Sequence, residues 1–141
     1  GVKERSWPLE RELSVARDVL ELHLLRDPEL FTLRVDETSK LVAAVRVPPL
    51  ILLPLVDNAV KHGPARGHRG PIELTVHEAG GLVTIRLRNC GPCGPARPGS
   101  DGLPTLARRL RLAYGDSAKL SLLPRSACET EATLVLPGVL P

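Results

Sequence analysis

Four residues able to do chemistry, Asp57, Asn58, Lys61 and His62, stand within one short stretch, the fifteen residues from Pro49 to Gly63. Lys61 and His62 follow Asn58 by three and four positions, so on a helix the three share one face. Leu55, Val56, Ala59 and Val60 are left to turn toward a core. A carboxamide oxygen is a hard, neutral ligand that suits Mg2+. A lysine ammonium suits a phosphate as a point charge. On spacing alone, a solvated polar stripe explains the same residues and is favoured. The chain has no Met, no Gln and only two Asn, so Asn58 and Asn89 each invite a specific explanation. Asn89 opens a second string, Asn89-Cys90-Gly91-Pro92-Cys93. Its amide could accept from and donate to one ligand edge.

These groups need elements to hold them. Leu9, Leu13, Ala16, Leu20 and Leu24 recur at helical spacing, which predicts a helix over Pro8 to Arg26, ended by Asp27-Pro28. Phe31 to Val35 alternates as a short strand. Pro48-Pro49 opens a second apolar helix that ends at Gly63, with Pro54 forcing a kink or a later start. Ile72, Leu74 and Val76 face Val83, Ile85 and Leu87 across a Gly80-Gly81 turn, a hairpin pattern. Asn89 to Gly102 reads as a loop dense in Gly and Pro and as the most mobile internal segment. Leu103 to Tyr114 returns to helical spacing. Leu120 to Leu123 and Thr130 to Leu136 close the chain as a hairpin. Strand runs segregated from helices predict an α+β sandwich, with helices covering one face of a mixed sheet.

Composition narrows the function. A length of 141 residues fits one domain spanning 1–141, and 43% hydrophobic residues is ordinary for a globular chain. The net charge of +3 is spread among interspersed acids, and one Trp, one Tyr and one Phe supply little base stacking. Nucleic-acid binding is therefore disfavoured, while a phosphate-bearing small molecule fits. The longest apolar run, around Leu50 to Leu53, is too short to span a bilayer. A cytoplasmic location is expected, with room for a membrane anchor upstream.

The string from Pro48 to Gly63, PPLILLPLVDNAVKHG, closely resembles the N box of sensor histidine kinases. The nearest look is the subgroup paired with LytTR-type response regulators, where PPLLLQPLVENAVKHG is usual. The resemblance extends upstream to Pro8-Leu9-Glu10-Arg11-Glu12-Leu13, in a lead-in helix segment over residues 1–28. Downstream it reaches Gly102-Leu103 and Arg109-Leu110-Arg111-Leu112-Ala113-Tyr114-Gly115. It implies a Bergerat-type ATP-binding fold, a two-layer sandwich whose mixed, mostly antiparallel sheet is covered on one face by helices. It implies that Asn58 holds Mg2+ between the phosphates of ATP, with Lys61 and His62 beside those phosphates. Asp57 matches the acidic residue before the Asn and is the one catalytic candidate. Asn89 stands where the family often has the Asp that contacts adenine. Gly91, Gly99, Gly102 and Leu103 match nucleotide-binding glycine boxes, and residues 89–102 match the lid over ATP.

The resemblance implies an enzyme, a histidine kinase catalytic domain. Its partners would be ATP, a dimerisation segment carrying the phosphoacceptor His, and a response regulator, with the full-length protein a homodimer. The phosphoacceptor string HFxFN does not occur in this sequence. The chain departs from the family at Cys93, where a glycine is usual, at Pro98 to Leu103, which keeps few of the glycines of GTGIGL, and at Thr105, near a position that often holds Asn. These departures keep an alternative open, a degenerate nucleotide-binding regulatory module without kinase activity. A more distant alternative is a thiol-redox domain, because Cys90-Gly91-Pro92-Cys93 is identical to the thioredoxin tetrapeptide. The residues after Cys93 oppose a helix, so no helix N-terminus is expected to activate either thiol, and both are expected to be dispensable. His23, His68 and His77 read as surface residues.

Overall fold

The computed structural model describes residues 6–37, 44–92 and 102–139. Five strands form a sheet in the order β2-β4-β5-β7-β6. They are β2 (Thr32–Glu37), β4 (Pro71–Ala79), β5 (Leu82–Cys90), β6 (Lys119–Ser126) and β7 (Glu129–Pro137). β2 runs parallel to β4 and the other neighbours are antiparallel. The helices are α1 (Leu9–Arg26), α2 (Leu53–His62) and α3 (Gly102–Tyr114).

The sheet has two unlike faces because its strands alternate. Ile72, Leu74 and Val76, then Val83, Ile85 and Leu87, then Ala132, Leu134 and Leu136 are buried. They meet Leu9, Leu13, Ala16 and Leu20 of α1, Leu55, Val56, Ala59 and Val60 of α2, and Leu106, Leu110 and Tyr114 of α3 in one apolar cluster. Each buried leucine contributes about 1.5–3 kcal/mol relative to exposure, so this layer contact dominates the fold. The outer face is polar. Arg34, Glu73, Arg88 and Glu131 form a ladder of ion pairs at 3.4, 3.6 and 3.0 Å across it. Such partly exposed pairs contribute little individually. Gly80 and Gly81, at φ +60° and +80°, make the β4–β5 turn, and both values suit a primed hairpin turn.

The expected α+β sandwich is thus the observed one, with three differences in the elements. Pro8 lies outside α1 and pairs with Arg46 in a two-residue ladder, β1 (Trp7–Pro8) with β3 (Arg46–Val47), too short to leave a periodic signal. α2 makes the later start expected from Pro54: it begins at Leu53, with Pro54 in its first turn where a missing N–H costs nothing. Gly63 caps α2 at φ −109°, so it is not there for left-handed backbone. Asn89 and Cys90 are the last residues of β5 rather than the start of a loop, and Gly102 already belongs to α3. Asn89 pairs with Thr130 and Cys90 with Glu129 of β7, so sheet register overrides the loop preference of Asn.

Candidate functional site

α2 places its chemistry by burying everything else. Leu55, Val56, Ala59 and Val60 face the core. Asp57 and Lys61 are exposed on the other side, while Asn58 and His62 are half-buried beside them. Among the described residues, no hydrogen bond or ion pair engages the side chains of Asp57, Asn58 or Lys61. Asn58 therefore offers a neutral oxygen and an NH2 that the fold does not use.

The turn before α2 is held by two charged side chains that the sequence pattern did not single out. Glu12 on α1 is 2% exposed. Its carboxylate accepts the backbone N–H of Leu50 at 2.6 Å and of Leu52 at 3.0 Å, and also the indole N–H of Trp7. α2 has no side-chain cap of its own, so Glu12 supplies one from another helix, where the helix dipole favours negative charge. Arg109 on α3 donates to the carbonyl of Leu50 at 3.2 Å and to that of Pro49. Leu50 adopts φ +60°, an uncommon conformation for a branched residue. One signal for Glu12 was legible. It lies three residues after Leu9 and four before Ala16, on the apolar stripe of α1, where a charge needs partners.

The C-terminal end of α2 meets the end of β5. Asn89 is 3% exposed, and its Nδ2 donates to the carbonyl of Cys90 at 2.9 Å. A Cβ on Gly63 would stand 2.7 Å from the carbonyl oxygen of Cys90, 2.9 Å from that of Ala59 and 2.9 Å from Nδ2 of Asn89. Glycine is present there for closeness. Gly91 is required twice over: its φ is +117°, and a Cβ would meet the carbonyl oxygen of His62 at 3.0 Å and the His68 ring at 3.1 Å. Its N–H donates to the carbonyl of Cys128 at 2.7 Å, and its carbonyl accepts from the hydroxyl of buried Thr130 at 2.9 Å. The structure thus joins Asn89 and Gly91 to the α2 face through His62 and Gly63.

α3 brings its first residues to the start of α2. A Cβ on Gly102 would lie 3.7 Å from Cβ of Pro54, an ordinary contact, so the protein itself imposes no need for glycine there. Leu103 is half-buried against the core, and Thr105 is exposed. Gly99 and Cys93 lie outside the described residues, as does most of the 89–102 lid span.

The thiol chemistry of thioredoxins needs a lowered pKa. Cys90 goes the other way: burial first, then the charges of Glu129, Cys128 and Glu73, push its thiol up. His77 and His68 are exposed and His23 is half-buried on α1. Among the described residues, no group of three or more His, Cys, Asp or Glu side chains could hold a metal ion. No helix among them is long and apolar enough to cross a membrane.

No family profile and no curated sequence matches the chain. Solved structures do. The catalytic domain of the histidine kinase ThkA, in a nucleotide-free form, superposes with a TM-score of 0.71 at 15% identity over 95% of this chain and 97% of that one. The Acinetobacter baumannii histidine kinase AdeS gives 0.69 at 15% identity over 94% of this chain. Full-length ShkA, in complex with AMPPNP, gives 0.63 at 24% identity over 88%. The chain spans 66% of the AdeS chain and 29% of the ShkA chain. At these identities the likeness concerns the fold: this chain has the α+β fold of histidine kinase catalytic domains.

Proposed function

We propose that the chain is the ATP-binding catalytic domain of a two-component sensor histidine kinase. It would bind Mg2+-ATP along α2 and donate the γ-phosphate to a histidine on a dimerisation segment outside this chain. The observation that carries the reading is the unengaged Asn58 and Lys61 on α2, in the fold that ThkA, AdeS and ShkA share. ShkA is in complex with AMPPNP, which supports a nucleotide as the ligand.

The donor set fits the cation. Mg2+ keeps most of its water and takes one or two protein ligands plus phosphate oxygens, so the single carboxamide of Asn58 suffices. Bound there, the ion would neutralise charge on the transferring phosphoryl group. Lys61 places a positive charge one turn from Asn58, and His62 a polar ring beside it. Both lie in the last turn of α2, where the helix dipole favours the positive charge of Lys61. Asp57 would order water at the same face. Asn89, Gly91, Gly99, Gly102 and Leu103 would line the rest of the nucleotide site, with 89–102 as the lid. Phosphoryl transfer asks the protein chiefly for positioning and charge, and a helix buried along one side provides both. The signalling partners would be a response regulator and a second copy of the full-length protein, in the cytoplasm.

One observation favours a second reading, a regulatory nucleotide-binding module without phosphotransfer. Asn89 is nearly sealed and its NH2 already donates to Cys90, which limits its reach toward a base. Calorimetric titration with AMPPNP, with and without Mg2+, tests both readings together. Mg2+-dependent binding is the expected result, and no binding would remove both. Phosphotransfer to an added phosphoacceptor segment then separates them.

A further inference from the structure

We propose that Arg109 and Glu12 are positioning residues of the nucleotide site, gripping the Pro49–Leu52 turn from two helices and so fixing α2 against α3. The inference rests on the reading of α2 and α3 as two sides of that site, with Asn58 and Lys61 on one and Gly102 and Leu103 on the other.

The turn between Pro49 and Leu52 presents polar backbone groups to both neighbours. Glu12, from α1, takes the N–H groups of Leu50 and Leu52. Arg109, from α3, supplies donors to the carbonyls of Pro49 and Leu50. Leu50 is engaged through both its N–H and its carbonyl, and it is the one non-glycine residue at positive φ among the described residues. A backbone held in that region persists only when its surroundings determine it. Here the determinants are two charged groups whose hydrogen bonds are stronger than neutral ones. The consequence is directional. Glu12 fixes where α2 begins relative to α1 and the core. Arg109 then ties α3 to that same point, while Gly102, two turns earlier on α3, stands beside Pro54 in the first turn of α2. The two contacts are seven residues apart on α3 and together set its placement along α2. Apolar packing by Leu106 lies between them, and that by Leu110 just beyond, but such packing is non-directional and permits sliding.

Arg109 is half exposed and its partners are carbonyls, so its loss leaves the core intact. Its effect is therefore expected in ligand affinity more than in stability. The test compares wild type, Arg109→Met, Arg109→Lys and a core control, Ile72→Val, by AMPPNP titration in the presence of Mg2+ and by urea unfolding. Ile72 is fully buried, and the control loses stability without touching either helix contact. Arg109→Met should weaken AMPPNP about tenfold, a loss on the scale of one charge-assisted hydrogen bond. Arg109→Lys should recover part of it, and Ile72→Val should bind like wild type. Hydrogen exchange at the amides of Leu50 and Leu52 should stay slow in Arg109→Met, because Glu12 holds them. Wild-type affinity in Arg109→Met overturns the proposal, as does a loss no larger than in the core control. A wild-type chain that binds no AMPPNP defeats the functional reading itself, a separate result visible before any variant is made.

Discussion

The two ends of α2 are built in opposite ways. At its start, side chains do the holding: Glu12 and Arg109 fix the approach, while along its face Asn58 and Lys61 are left uncommitted. At its end, backbone does the holding. Gly63, Asn89, Cys90 and Gly91 approach so closely that two positions admit only glycine, and the one amide side chain present is buried and in use. A face meant for a ligand must keep its polar groups unsatisfied by the protein and reachable by water. A backbone junction must satisfy all of its own. The difference teaches that substitutions at the two ends should register in different measurements: affinity at the face, stability at the junction.

The largest expected effect lies at the junction. Gly63→Ala forces a Cβ to within 3 Å of two carbonyl oxygens, and overpacking of this kind should cost about 3 kcal/mol in urea unfolding. A stable Gly63→Ala protein would mean that the junction yields and the comparison fails there. Next, Asn89→Leu leaves the carbonyl of Cys90 without its donor and should cost about 2 kcal/mol of stability. AMPPNP affinity should fall as well if Asn89 also meets the base. Loss of stability with unchanged affinity would assign Asn89 to the fold alone. On the face, Asn58→Ala should lower Mg2+-dependent AMPPNP affinity about tenfold. Its stability should stay within about 0.5 kcal/mol of wild type. Binding in wild type that ignores Mg2+ would remove the metal role of Asn58.

The smallest effect concerns a group on neither end. Tyr114 closes α3 with its hydroxyl buried and lacking a hydrogen-bond partner among the described residues. Burial pushes its pKa up to about 12 from an ordinary 10. The folded protein therefore holds this proton where the unfolded chain has lost it. The corresponding stability is fully present below pH 10 and is lost as pH rises toward 12. Tyr114→Phe should stabilise the protein at neutral pH by about 1 kcal/mol, since an unsatisfied polar group leaves the core. It should also flatten the decline of stability between pH 10 and pH 12, measured by unfolding at several alkaline pH values. A variant less stable than wild type at neutral pH would show that the hydroxyl has a partner.

Sequence periodicity by itself determined the three helices, the β4–β5 hairpin and the closing hairpin, because burial of one face imposes a repeat of 3.6 or 2 that side-chain type reveals. It likewise grouped Asn58, Lys61 and His62, since neighbours on a helix face are separated by only three or four residues. What it could not determine is contact between distant segments. That Glu12 reaches Leu50 and Leu52, that Arg109 reaches Pro49, and that Gly63 lies against Asn89 depend on how helices and strands pack, across 38 to 40 residues in the first case. The alternation of β5 continued through Asn89 and Cys90 because β7 offered partners to the end of the strand. Local preference had no knowledge of that register. Local spacing fixes which groups share a surface, whereas only the packed structure decides which of them are consumed by the protein and which remain for a ligand.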